Sequence, residues 1–147
     1  ACAALANLAS GNGADADDIR KKIIHAHARE EFVTEYILAA MKMFPESALV
    51  QMNACAALAN LASGNGTIAD YNRYTLINCY KTKLLEYILA AMKNHKNEER
   101  VQENACIALA NLASGNDERA VAIRKELMTK EMIYFPHACG LLDKFDK

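Results

Sequence analysis

The chain has 147 residues, of which 52% are apolar and 24% charged, with a formal net charge of −1. That apolar share argues against disorder, and the length suits one domain with a sizeable core. The near-neutral balance gives no gross electrostatic reason to expect nucleic acid or an anionic membrane as partner, and no apolar run approaches the roughly 18 residues of a transmembrane helix.

Residues 1–12 read ACAALANLASGN, and the same phrase returns with an Asn in front at 53–65 (NACAALANLASGN) and 104–116 (NACIALANLASGN), at spacings of 53 and 51. Self-similarity at such a period marks stacked helical repeats. Residues 1–10 read as the tail of a helix whose first turns are missing. The chain lacks an initiator Met and is expected to be a fragment of a longer array. Gly11-Asn12-Gly13 is a turn, and Asp15 and Asp17 give the next helix an acidic start. Residues 16–27 form a short first helix, 30–43 a second, and 47–63 a long third, entered through Pro45-Glu46-Ser47.

Gly64-Asn65-Gly66 repeats the turn, and Thr67 with Asp70 resembles a capping box. It opens a helix over roughly 68–80, followed by another at 83–94. That helix repeats EYILAAMK of 35–42 at 86–93. The third copy of the phrase occupies 98–114. Beyond Gly115 the pattern loosens: 118–128 is helical, Pro136 breaks the chain or opens a last helix at 137–145, and the unit is divergent, with a terminal character. No strand pattern is present. The expected divisions of the single domain are 1–12, 13–65, 66–116 and 117–147.

Wound at about 100° per residue, the stretch 47–63 puts Val50, Ala54, Ala57, Leu58 and Leu61 on one side. Cys55, Ala59 and Ala62 form a second apolar flank. The remaining sector holds Leu49, Asn53, Ala56 and Asn60, and in the next copy Arg100, Asn104, Ile107 and Asn111. A helix apolar over most of its circumference is buried between neighbours, so this seam is the side left for solvent or a ligand. Gly11, Gly64 and Gly115 stand where a helix ends in left-handed backbone. Cys2, Cys55 and Cys106, at equivalent positions among five Cys, read as small buried residues in a reducing compartment. This places the chain inside the cell, in the cytoplasm, with the nucleus left open.

The stretch 97–127 resembles an armadillo repeat through Val101, Ala105, Ala108-Leu109, Asn111-Leu112-Ala113 and Gly115-Asn116. The fuller phrase, YILAAMK followed by VQ and NAC, is similar to the longer armadillo repeats of protist proteins and leucine-rich-repeat kinases. The resemblance covers nearly the whole chain. It implies an all-α, right-handed superhelical solenoid of armadillo/HEAT-like three-helix repeats, about two and a half of them here. It also implies an extended peptide lying in the groove of the third helices, its backbone bonded by the Asn at the place of Asn7, Asn60 and Asn111. An amide side chain can donate and accept at once, which suits that task. Importin-α-like members carry Trp four residues before that Asn, whereas Ala3, Ala56 and Ile107 stand here, so capture of basic peptides in that mode is not expected. The period of 51–53 also exceeds the usual armadillo length of roughly 40–47.

Two readings of the seam stand side by side: a ligand-binding ladder of Asn7, Asn53, Asn60, Asn104 and Asn111, or Asn side chains bonding a neighbouring repeat or a helix end. Arg100 joins the candidate surface as a contact for an acidic ligand residue, and Ile107 as an apolar contact. No metal site is expected, since His25 and His27, like His137 and Cys139, are two apart and do not face one another on a helix. Stacked helices also hold Cys55 and Cys106 too far apart for a disulfide. Catalysis and cofactors are not expected either; the GNG turns lack the GK[ST] of a phosphate loop. RNA reading would need stacking side chains where Ala56 and Ile107 stand, and the Lys21-Lys22 and Lys81/Lys83 clusters read as solvated surface. The expected function is non-catalytic protein–protein interaction with an extended segment. The alternative is an architectural spacer or assembly element, with end-to-end self-association open.

Overall fold

A computed structural model describes residues 1–25, 27–28, 31–115 and 118–127. The elements are α1 (Cys2–Leu8), α2 (Ala14–Ile24), β1 (His27–Ala28), β2 (Glu31–Phe32), α3 (Val33–Met43), α4 (Ala48–Leu61), α5 (Thr67–Asn94), α6 (Glu99–Ala113) and α7 (Glu118–Leu127). The fold is all-α apart from one antiparallel ladder of two-residue strands, pairing His27 with Phe32 and Ala28 with Glu31. The three copies of the repeated phrase are α1, α4 and α6. They pack side by side, α1 on α4 and α4 on α6, while α3 covers α4 and α5 covers α6. The same helix–helix contact therefore recurs from unit to unit.

α4 is Ala- and Leu-rich and capped by Ser47, whose Oγ accepts from the Val50 amide at 3.4 Å. Its core stripe lies where the winding places it: Ala54, Ala57, Leu58 and Leu61 are buried, as are Cys55, Ala59 and Ala62. Val50 is only half-buried. Gly11, Gly64 and Gly115 take φ of +108°, +107° and +118° directly after the three phrase helices.

Several expectations are corrected. The separate helices over 68–80 and 83–94 are one helix, α5, 28 residues long. No Gly or Pro interrupts it, and Leu76, Ile77, Tyr80, Leu84, Leu85 and Ile88 are buried at helical spacing across the expected break. The matching stretch of the preceding unit, HAHAREE at 25–31, has no large apolar residue to hold a turn. There α2 stops at Ile24, α3 starts only at Val33, and the short ladder fills the gap. The capping box does not form: Gly66 is the N-cap of α5, and Asp70 turns to Arg73 instead. The last helix at 137–145, with Pro136, His137 and Cys139, lies outside the described residues. No helix of the described residues is long and apolar enough to cross a membrane.

Cys55 is buried and Cys2 half-buried, both as free thiols. Cys106, expected to be a third reduced thiol, is half-buried and held in a disulfide, which corrects that reading at this position. Burial pushes the Cys55 thiol up from 9.0 to about 12. Below about pH 9 the folded and unfolded chains both hold this proton. Above that the unfolded chain loses it first, so this contribution to stability is whole below pH 9 and lost as pH rises through 12. The free thiols of Cys55 and Cys79 should therefore part at pH 8. Iodoacetamide is expected to alkylate exposed Cys79 within minutes and to reach Cys55 only in denaturant, as read by peptide mass spectrometry. Equal labelling in the native protein would contradict the burial of Cys55.

Candidate functional site

The free side of the phrase helices carries the residues that the winding assigned to it. Leu49 is 66% and Ile107 44% exposed, Arg100 and Asn7 are exposed, and Asn53, Asn60, Asn104, Asn111 and Ala56 are half-buried. At the N-terminal ends of α4 and α6 a cleft of about 430 Å3 opens between Leu49, Met52, Asn97, Glu99 and Arg100. It runs onto the same seam.

The seam amides are not idle. Asn60 Nδ2 donates to the Ala6 carbonyl at 2.8 Å, and Asn111 Nδ2 to the Ala59 carbonyl at 2.9 Å. Each acceptor directly precedes the matching Asn one unit earlier. These carbonyls are free to accept because the chain tightens behind them. The amides of Ser10, Ser63 and Ser114 bond back three residues, to the carbonyls of Asn7, Asn60 and Asn111, at 3.2, 3.1 and 3.2 Å. Ala6, Ala59 and Ala110 thereby lose the usual partner four residues on, which leaves an orphan acceptor at a helix end. The next unit's Asn fills it for Ala6 and Ala59. About two turns earlier, Asn104 Nδ2 donates to the Met52 carbonyl at 3.2 Å, while Asn53 folds onto its own helix at the Leu49 carbonyl, 2.8 Å away. The Oδ1 atoms of these four Asn accept no hydrogen bond among the described residues, and each is held in orientation by its donating nitrogen.

Behind the seam, each phrase helix is closed by an arginine from the following helix. Arg20 donates to the Ala9 and Gly11 carbonyls, Arg73 to those of Ala62 and Gly64 at 3.1 and 3.0 Å, and Arg124 to those of Ala113 and Gly115. Arg20 pairs with Asp17 and Arg73 with Asp70. At the other helix end, Gln51 Nε2 donates to the Met41 and Phe44 carbonyls at 3.0 and 2.8 Å. Gln102 Nε2 does the same to those of Met92 and His95, at 2.8 and 2.9 Å. The sequence reading missed both devices. Their signal was present: an Arg nine residues after the helix-ending Gly in all three copies, and a Gln ten residues after the Met of both AAMK phrases.

Among the described residues no group of three or more His, Cys, Asp or Glu stands where it could hold a metal ion. His25 is instead stacked on Tyr71, ring centroids 5.5 Å apart, with Lys21 Nζ 5.4 Å from the centroid of the same ring.

Among curated proteins the chain is similar to Protein aardvark of Dictyostelium discoideum, with 38% identity over 89 residues. The aligned region covers 59% of this chain and 12% of that relative's length. No protein-family model matches the chain. No solved structure matches it.

Proposed function

We propose that the chain is part of an armadillo-like, right-handed array with units at 13–65 and 66–116, and that it holds an extended polypeptide segment along the seam of α1, α4 and α6. The observation that carries this reading is the state of the seam amides. Asn53, Asn60, Asn104 and Asn111 each have the nitrogen committed to a backbone carbonyl and Oδ1 unused, flanked by exposed Leu49, Ile107 and Arg100. An oriented Oδ1 accepts a hydrogen bond from a ligand backbone N–H, whatever the ligand's side chains. Leu49 and Ile107 offer apolar contacts, and Arg100 favours an acidic residue beside them. At about 3.3 Å per extended residue, the ligand advances roughly two to three residues per unit.

Selection of phage-displayed random peptides on the full chain provides the probe, with affinity then read by fluorescence anisotropy. Ile107→Glu touches no inter-unit hydrogen bond and is expected to weaken a recovered peptide about tenfold, equal to about 1.4 kcal/mol. The quadruple variant Asn53→Ala, Asn60→Ala, Asn104→Ala, Asn111→Ala should weaken it at least as much. Circular dichroism must show the folded helix content in both. Recovery of no peptide, or undiminished affinity in both variants, would remove the seam as the binding surface.

A further inference from the structure

The seam amides bond in two ways, and the difference falls on a unit boundary. Asn104 Nδ2 donates to the Met52 carbonyl at 3.2 Å and Asn111 Nδ2 to the Ala59 carbonyl at 2.9 Å, so both reach from α6 onto α4. Asn60 reaches back in the same way, onto the Ala6 carbonyl at 2.8 Å. Asn53 alone of the four stays within its own helix, on the Leu49 carbonyl. Met52 and Ala59 lie on one face of α4 with Cys55 between them, at i, i+3, i+7 spacing, and α6 packs along that face. Cys55 is sealed there as a free thiol, 0% exposed.

The aim of each unused Oδ1 is therefore set from one of two places. At Asn53 it survives as long as α4 does. At Asn104 and Asn111 it survives only while α4 and α6 stay joined, because a planar amide is aimed by its bonded nitrogen. The two ends of one amide also strengthen each other. A hydrogen bond accepted at Oδ1 draws electrons out of the nitrogen, and Nδ2 then donates more strongly to the carbonyl behind it. A ligand bond and a unit-to-unit bond thus meet in the same side chain, twice at the α4–α6 boundary.

We propose that a polypeptide segment held on the seam splints the boundary between α4 and α6, binding only while the two helices are joined through Asn104 and Asn111. This rests on the seam as the binding surface and adds its regulation. By linkage the coupling runs both ways: the ligand holds the two units together, and whatever draws them apart lets the ligand go. A ligand that touches Leu49, Asn53 and Asn60 on α4 and Asn104, Ile107 and Asn111 on α6 has a differential affinity for the joined state, since parting the helices removes one set of contacts or the other.

The test uses the full chain and a peptide selected on it by phage display whose affinity falls with Ile107→Glu, which places that peptide on the seam. Asn111→Asp keeps an acceptor oxygen for the ligand but sets a second acceptor against the Ala59 carbonyl. Asn53→Asp makes the same charge change where no other unit is involved. By fluorescence anisotropy the first should lose about tenfold more affinity than the second, with both folded by circular dichroism. A second measurement needs no variant and decides the matter if Asn111→Asp unfolds. Methyl methanethiosulfonate, much faster than iodoacetamide, traps the rare openings that bare Cys55. Peptide at about a hundred times its Kd should slow that labelling about a hundredfold and leave exposed Cys79 unchanged. The labelling rate should also vary little at low urea, because parting two units exposes far less surface than unfolding the chain. Equal losses in the two Asp variants, labelling of Cys55 that ignores the peptide, or a rate as steep in urea as global unfolding would each overturn the splint while seam binding stands. If no selected peptide responds to Ile107→Glu, both fall together.

Discussion

Arg20→Ala is expected to cost about 3–5 kcal/mol at the corner between α1 and α2, the penalty for leaving a buried charge without its partner. Both members of the pair are sealed: the side chains of Arg20 and Asp17 are 1% and 6% exposed. The guanidinium also holds the Ala9 and Gly11 carbonyls at the end of α1. Its loss therefore strands one carboxylate and two helix-end acceptors together. Arg73→Ala removes the same clamp one unit later, but Asp70 is 58% exposed there and water takes over its solvation. That change should cost about 1.5–3 kcal/mol, the range for hydrogen bonds to a charged group. Urea titration by circular dichroism measures both, with hydrogen exchange of the α2 amides reporting the local corner. Adding Asp17→Asn to Arg20→Ala should recover part of the loss. Equal costs for the two alanine variants would mean that the burial of Asp17 is energetically irrelevant.

Gly64→Ala is the second large effect, and it should exceed the same change at Gly11 or Gly115. All three glycines have positive φ, and alanine there costs about 1–3 kcal/mol in backbone strain. At Gly11 and Gly115 a new Cβ meets nothing nearer than 3.7 Å, the Cβ of Ala16 or Ala120. At Gly64 it would lie 2.1 Å from Asp17 Oδ1 and 3.1 Å from Ala69 Cβ. Asp17 cannot swing aside cheaply, because Arg20 grips it. Overpacking of this kind adds about 1–3 kcal/mol. Measured against Asp17→Ala alone, where the loss of the Arg20 pair cancels, Gly64→Ala should cost less than in the wild type by the part owed to the clash with Asp17. If the urea midpoints of Gly64→Ala and Gly115→Ala coincide, the close approach of the two units at this turn is not tight in solution.

These two results also separate what is local from what is not. The repeat period, the phrase helices, their glycine ends and the seam of Leu49, Asn53, Ala56 and Asn60 were legible in the sequence. Each depends on helical periodicity or on the left-handed freedom of one residue, both read within a few neighbours. The same local reading divided α5 wrongly between 80 and 83, where burial of Leu76, Ile77, Tyr80, Leu84, Leu85 and Ile88 carries one helix through. It also left the Asn seam with two meanings. The amide nitrogens of Asn60, Asn104 and Asn111 turn out to bond carbonyls 52 to 54 residues away. No spacing rule reaches that distance.

The sequence by itself determined which face of each phrase helix is apolar and that the faces must be stacked, since a helix buried nearly all round needs neighbours on both flanks. Only the tertiary structure decided the direction of the stack. It did so through carbonyls released at Ala6, Ala59 and Ala110 by the tightening last turn, each waiting for a donor from the unit that follows. It likewise decided that Asp17, an ordinary acidic residue at a helix start, is buried against Gly64 of the next unit. Both outcomes depend on groups brought together across a whole repeat, and their energies exist only once that packing has formed.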